Sequence, residues 1–592
     1  MLTSFSLGNF KAFGDTQIIP VRPLTLVFGP NSAGKSSVLH SLLLACEANG
    51  TGEFDIFETN AGGKTVDLGG FRQYVFRRDL SRRTTCSLEL DLTGVEGRLA
   101  QLLGSCRKAK LTSTIGLALD NLGRPQPEAS PDLAAYECEL DGRPFLRMSR
   151  RPDGFMQLDK LDRDHPVTRA LVRNIISAQT TTEIVPEDDL SALDEIIDKL
   201  VPEIKSQEWN LFPSLSMSIG GDSSMWGSVT SQWTSSATRG KRRVDQPSFF
   251  EADEPQQSFG SMLQPVSREN RTEVLSNTIR LFLPRLIAEI QNGLVALASE
   301  ELTKVQYLGP IRFIPPRHFA HAEPQDPDWF AGGGKAWDTL RRDEKIRSRV
   351  NSWLRGENRL HSRYEVVVRD YLAADQLGDP INSGLQIIHE EAEHTAKELH
   401  QSADPELWQS PTGSMTLFDP DHHEELLEEW LRTSDVDRMR DLTLLDLNSK
   451  TFVSHKDVGV GISQVLPVLV YSYALQNAIL AMEQPEIHLH PGLQAALGDV
   501  FIESALGENK NRLLLETHSE HLILRILRRI RETTNGDVKE GMVAIRPEDV
   551  AVLYVRSGKG GAEVVEIPIR PDGEFITDWP EGFFPERVEE LF

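Results

Sequence analysis

The sequence predicts an α/β fold built on a phosphate-binding loop and split by a large mixed insertion of helices and strands. Three observations lead there. A Gly-x-x-x-x-Gly-Lys-Ser motif occupies residues 29–36, between a short apolar run and a helical pattern. Two further apolar runs, residues 478–482 and 512–515, end in polar residues close to the other end of the chain. Between these halves lies a long stretch of mixed pattern, so the loop and the strands that would complete its sheet are distant in sequence.

The loop has the context that its motif needs. Residues 24–28 (Leu-Thr-Leu-Val-Phe) follow Pro23 and suit a buried strand, and residues 37–48 carry Val38, Leu39, Leu42, Leu43 and Ala45 at helical spacing. A strand entering and a helix leaving let the backbone N–H groups of Gly29, Asn31, Ser32, Ala33, Gly34 and Ser37 converge on a phosphate at a helix N-terminus. Lys35 then reaches the outer phosphates and the Ser36 hydroxyl ligates Mg²⁺. ATP and Mg²⁺ are the expected ligands.

The remaining elements follow along the chain. Apolar runs predict strands over residues 2–13, 16–19 and 86–92, and again over 136–140 and 145–149. Helical patterns occupy the stretch from Pro166 to about Leu200. Residues 214–264 are rich in Ser, Gly, Thr and Gln and predict a flexible loop. A long helix is expected over 271–302, kinked at Pro284, followed by a strand at 304–308, one helix over 338–354 and a strand at 364–368. Residues 419–430 read as an acidic helix, and strands return at 442–447 and 451–454. A helix and a hairpin, 550–555 with 563–567, close the pattern, with glycines at 558, 560 and 561 in the turn. No heptad pattern or internal repeat is sustained. Five segments are expected: 1–125 with the phosphate loop, an insertion over 126–303, a mixed region over 304–440, a second ATPase lobe over 441–535 and a C-terminal module over 536–592.

Bulk composition narrows the class. The 592 residues are 39% hydrophobic and 26% charged, ordinary values for a globular protein with several domains. No run approaches 18 uninterrupted apolar residues and no charged-then-apolar leader opens the chain, so no membrane partner and a cytoplasmic location are expected. The four cysteines lack metal-ligand spacing and read as reduced thiols. A net charge of −25 argues against non-specific coating of nucleic acid. The basic clusters around Arg77, Arg239 and Arg525 read as solvated faces before they read as a nucleic-acid groove.

The run at 478–482 ends in Glu483-Gln484-Pro485-Glu486-Ile487-His488-Leu489-His490-Pro491, and the run at 512–515 leads into Glu516-Thr517-His518-Ser519. Carboxylates directly after a buried strand are costly without a cation, and a phosphate loop needs such an acid to organise Mg²⁺. His518 is placed to sense a γ-phosphate. Upstream, Gly459, Gly461 and Ser463 open an apolar helix, a second anion-binding helix start.

In this order the pieces resemble ABC-type ATPases of the SMC and RecF-like branch, and in particular the OLD-like ATPases of bacterial antiphage defence. The likeness is also carried by Asn9-Phe10-Lys11-Ala12-Phe13, Asp67-Leu68-Gly69-Gly70-Phe71, Tyr307-Leu308-Gly309-Pro310-Ile311-Arg312 and the ending Asp578-Trp579-Pro580-Glu581-Gly582-Phe583-Phe584. It covers about the first hundred residues and the last hundred and fifty, with the Tyr307 segment.

The resemblance implies an ATPase head that pairs with a second copy. Each nucleotide would then lie between one chain's phosphate loop and the other's Gly459, Gly461 and Ser463. It also implies Glu483 at the Walker B position as a Mg²⁺ ligand beside Ser36, His518 as the switch histidine, and a protein effector such as a nuclease or toxin as partner.

Where many relatives have a water-activating Glu, this chain has Gln484, which orients water but takes no proton. Hydrolysis is therefore expected to be slow, or to draw on Glu486 or His518. The alternatives are a RecF-like DNA-maintenance ATPase, with nucleic acid as partner, and an ATP-gated nuclease with a cryptic metal site near Asp421 and His422. The acidic run at 419–425 reads first as a solvated helix start.

Overall fold

The computed structural model describes residues 1–179 apart from five positions between 119 and 127, together with residues 191–206, 211–217, 271–313, 329–356, 359–372 and 438–576. The expected loop over 214–264 lies almost wholly outside these residues. So do the acidic run at 419–425, the cluster at Arg239 and the ending at 578–584. The chain divides into two compact units. The first comprises Met1–Pro310, Leu475–Glu486 and Leu497–Phe592; the second comprises Ile311–Ala474 and Ile487–Ala496.

The first unit is organised by two sheets. Its six-stranded sheet runs in the order Val305–Leu308, Ile479–Glu483, Arg512–Glu516, Leu24–Phe28, Val550–Gly558, Gly561–Glu566. All neighbours are parallel except the last pair, the expected hairpin. The three central strands are buried at every position, as near-continuous apolar runs in a parallel sheet should be.

The second sheet has nine antiparallel strands. Its edge strand is Gln17–Pro20, followed in order by Leu2–Gly8, Thr84–Asp91, Lys108–Gly116, Asp132–Leu140, Arg143–Arg150, Met156–Leu161 and two short strands ending at Met217. The strand expected over residues 2–13 stops at Gly8, because Asn9 and Lys11 take left-handed backbone (φ 52° and 44°) and Phe10 bridges Phe13 in a tight turn.

Helix Arg271–Thr303 runs on past Pro284. Its stretch Ser276–Thr303 is apolar enough to cross a membrane by composition. Yet Ile279, Leu283, Ile287, Ile290, Leu294 and Ala298 form one stripe with no exposed surface, the pattern of a core helix. Near its end, Glu301 accepts from the Leu2 N–H and pairs with Arg512 at 2.7 Å, while Arg512 also donates to the Leu2 carbonyl. This buried pair ties strand Leu2–Gly8 of the nine-stranded sheet to the parallel sheet. Burial alone would raise the Glu301 carboxyl, but Lys304, the Leu2 N–H and Arg512 outweigh it and hold it at about 2.

In the second unit, Tyr364–Leu372, Arg438–Asp446 and Thr451–Val453 form an antiparallel sheet. The single helix expected over 338–354 is two, Gly334–Arg342 and Glu344–Arg355. Asp343 breaks it: its backbone is extended and its carboxylate accepts from the Ile346 N–H at 3.0 Å, an N-cap for the second helix. Helix Val460–Ala474 is buried almost all round from Ser463 onward.

Candidate functional site

The phosphate loop leaves the fully buried strand Leu24–Phe28 and enters helix Lys35–Thr51. Gly29 has φ 147°, and a Cβ there would stand 2.2 Å from the Val555 carbonyl oxygen of the adjacent strand. Gly34, at φ 106°, is the left-handed residue before the helix, and Ser32 also has positive φ. These positive-φ positions let the loop curl. Asn31 and Ser32 are exposed at the lip, Ala33 is buried, and Ser36 and Ser37 are half-buried. Lys35 is buried and donates to the Pro30 carbonyl at 2.8 Å. Burial lowers its pKa, partly offset by the charge of Glu516.

Parallel pairing brings the distant acids to the same sheet end. Glu483 stands directly opposite Glu516 in register, and Glu516 is opposite Val27, one residue before the end of the phosphate-loop strand. Glu483 is engaged by two side chains, Tyr307 of a quoted segment and His40, which no motif singles out. His40 Nε2 lies 3.0 Å from its Oε1, and the Tyr307 hydroxyl donates to the same oxygen at 2.8 Å. His40 in turn meets the Lys11 ammonium at 2.8 Å through Nδ1. Burial lowers the Lys11 pKa against the charges of Glu483 and Asp67. The Asn-Phe-Lys-Ala-Phe and Tyr-Leu-Gly-Pro segments thus converge on Glu483.

Gln484 follows with φ 43°, and its N–H donates to the Glu516 carbonyl. Glu486 accepts the His518 N–H at 2.6 Å, so it holds the backbone at His518. His518 is half-exposed, and its pKa is lowered by burial and by the positive charge of Lys35. Ser519 caps the helix that follows, accepting from the Leu522 N–H.

Glu516 itself was quoted in the sequence motif without a role. Its side chain is 3% exposed and accepts a hydrogen bond from Ser36 of the phosphate loop. Burial, reinforced by Glu483 beside it and opposed by Ser36 and Lys35, pushes its carboxyl up to about 7. The signal that could have found it is its place at the end of a fully apolar strand.

Lys35, Ser36, Glu483, Glu486 and His518 therefore share one site with Glu516. Gly459, Gly461 and Ser463 lie in the second unit. There Gly459 is exposed at the helix start, and Gly461 packs so that a Cβ would stand 2.7 Å from the His488 carbonyl oxygen. Ser463 is fully buried, its hydroxyl spent on the His455 carbonyl at 2.7 Å. Gln464 exchanges hydrogen bonds with the Arg312 backbone, which fixes Arg312 against this helix.

Among the described residues no group of three or more His, Cys, Asp or Glu is arranged to hold a metal by itself. Mg²⁺ in nucleotide sites takes one or two carboxylates, with phosphates and water completing its shell. The Ser36 hydroxyl, two acids at one sheet end and the buried Glu516 Oε2, which has no hydrogen-bond partner, fit that demand.

Residues 4–122 match a family model described as AAA domain, and residues 360–523 match one described as AAA ATPase domain. Residues 545–592 match a model described as protein of unknown function (DUF3696). No curated protein matches the chain. Solved structures to which the chain is similar include the SMC head domain from Thermotoga maritima, at 8% identity over 96% of this chain and 99% of that chain, with a TM-score of 0.31. Another is an Smc head domain with an extended coiled coil, bound to the C-terminal domain of ScpA and derived from Pyrococcus furiosus, at 10% identity over 96% of each chain, with a TM-score of 0.32. These scores are too low to transfer any residue's role.

The sheet order, the phosphate loop and the two ATPase-domain matches define the class. The chain is an α/β protein with a phosphate loop, and the two stretches that match ATPase-domain models stand far apart in its sequence.

Proposed function

We propose that this protein is an ATP-dependent switch. It binds Mg²⁺-ATP at the phosphate loop, associates with a second copy through its nucleotide-loaded head and thereby controls a protein effector. The observation that carries the reading is the convergence of Lys35, Ser36, Glu483, Glu516 and the Glu486-held His518 at one end of the parallel sheet. Gly29, Asn31, Ser32, Ala33, Gly34 and Ser37 line the phosphates. Glu483 serves the cation site, Gln484 orients the attacking water and His518 senses the γ-phosphate. Glu486 keeps His518 in place.

With glutamine where a proton acceptor would stand, turnover is slow and the ATP-bound state is long-lived. Gly459 and Gly461, at an accessible helix start, cap the nucleotide of the neighbouring copy. The buried Ser463 hydroxyl acts by holding that helix start to the His455 carbonyl. A nuclease or other toxic effector of antiphage defence, in the cytoplasm, is the partner that the sequence resemblance supports.

Equilibrium binding of ATP to the full chain tests the nucleotide assignment. Lys35→Ala should lose ATP binding by two orders of magnitude or more; unchanged affinity would overturn it. Co-purification from the host with and without ATP tests the effector assignment. An ATP-independent complex, or none, would count against it.

A further inference from the structure

Two acids reach the end of the parallel sheet beside the phosphate loop, and their environments differ. Glu483, at the position where the resemblance expects the cation's acid, is already occupied. His40 and Tyr307 both bind its Oε1, at 3.0 and 2.8 Å, and His40 is backed by Lys11. Glu516, one strand nearer the loop, is the acid that receives the Ser36 hydroxyl. Its other oxygen, Oε2, is buried without a hydrogen-bond partner, on a side chain only 3% exposed.

A buried carboxylate oxygen without a donor is costly, and a cation is the ligand that removes the cost. Lys35 lies close enough to act on Glu516 electrostatically, yet its ammonium is bound to the Pro30 carbonyl. We infer that Glu516, from the strand between the phosphate loop and Glu483, is the carboxylate that faces the divalent cation of bound nucleotide beside Ser36. Glu483 is then a positioning residue. Held by Tyr307 and by the Lys11–His40 pair, it fixes the Gln484 turn that follows it. This inference rests on the ATP and Mg²⁺ reading of the site and reassigns the labour of its two acids.

The experiment is equilibrium binding of ATP to the full chain, once with Mn²⁺ and once in EDTA, with bound Mn²⁺ followed by its electron-spin resonance. Wild type should bind Mn²⁺-ATP more tightly than metal-free ATP. Glu516→Gln, nearly the same shape, should lose tenfold or more in affinity for Mn²⁺-ATP. It should keep or improve its affinity for metal-free ATP, because a negative charge near the phosphates is gone. Glu483→Gln should cost the Mn²⁺ dependence at least threefold less than Glu516→Gln does. Glu516→Asp keeps the charge and serves as the second variant, retaining part of the Mn²⁺ dependence.

Wild-type Mn²⁺ dependence in Glu516→Gln, or an equal loss with and without metal, overturns the inference while leaving the ATP site standing. Loss of Mn²⁺ dependence in Glu483→Gln alone does the same. A wild-type chain that binds no ATP under either condition removes the ATP reading and this inference together.

Discussion

Glu516→Gln should stabilise the nucleotide-free protein, and by an amount that depends on pH. An ordinary glutamate titrates near 4.5, whereas Glu516 in the fold is pushed up to about 7 by burial and by Glu483. Below pH 4.5 the carboxyl is protonated in both folded and unfolded chains, so it costs nothing. Between 4.5 and about 7 the unfolded chain releases the proton while the folded chain keeps it, and stability falls as pH rises. Above 7 the full cost of holding a buried anion is present, about 3 kcal/mol at 1.36 kcal/mol per pH unit.

Glutamine carries no charge and escapes this cost. In EDTA and without nucleotide, the variant should match wild type near pH 4.5 and exceed it by about 3 kcal/mol at pH 8. The nine tryptophans are spread over both units, so their fluorescence would not report on the first unit alone. Hydrogen exchange of the amides in strands Leu24–Phe28 and Arg512–Glu516 reads that unit. Protection should rise about 100-fold in the variant at pH 8, as 1.4 kcal/mol per factor of ten requires. Equal protection at pH 8, or less in the variant, would refute the placement of Glu516 in a dry, acid-crowded site.

Three further outcomes follow from the geometry. Arg512→Ala leaves Glu301 as a buried, partly unpaired anion between the two sheets, and should cost about 3–5 kcal/mol in chemical denaturation of the first unit. Gly29→Ala sets a Cβ against the Val555 carbonyl at 2.2 Å on a φ of 147°, and should weaken ATP binding at least tenfold while a melting scan falls by only a few degrees. Gln484→Glu supplies the missing proton acceptor and should raise ATP turnover by about 10²-fold, measured as phosphate release; a fall in turnover would place the attacking water elsewhere.

The parts that the sequence made legible are those whose signal is local. Residues 24–28 and 37–48 gave the strand and helix around the loop, and the observed elements, Leu24–Phe28 and Lys35–Thr51, differ only at their ends. The apolar runs before Glu483 and Glu516 were legible for the same reason, since central parallel strands are buried on both faces. Strand Lys108–Gly116 was missed because its buried positions alternate Ala109, Leu111, Ser113 and Ile115, and a buried serine hides the period. The break at Asp343 carried a cap signal, but helix-forming residues on both sides let the two helices read as one.

Within the site, Lys35, Ser36, Glu483 and His518 belong to motifs. Lys11 and Tyr307 lie in quoted segments, but that Tyr307 and His40 meet Glu483, and Lys11 meets His40, depends on tertiary packing, and nothing in the local sequence marks His40. The special position of Glu516 depends on strand order, which places it beside the phosphate-loop strand and opposite Glu483.

The central claim is that ATP held at this loop brings two copies together. Sedimentation velocity of the full chain with Mg²⁺-ATP, with Mg²⁺-ADP and without nucleotide tests it most directly. The account predicts a concentration-dependent shift to a dimer or larger assembly with ATP alone, absent in Lys35→Ala and weakened in Gly459→Glu. A wild-type chain with its ATP site saturated that sediments as it does without nucleotide would contradict it.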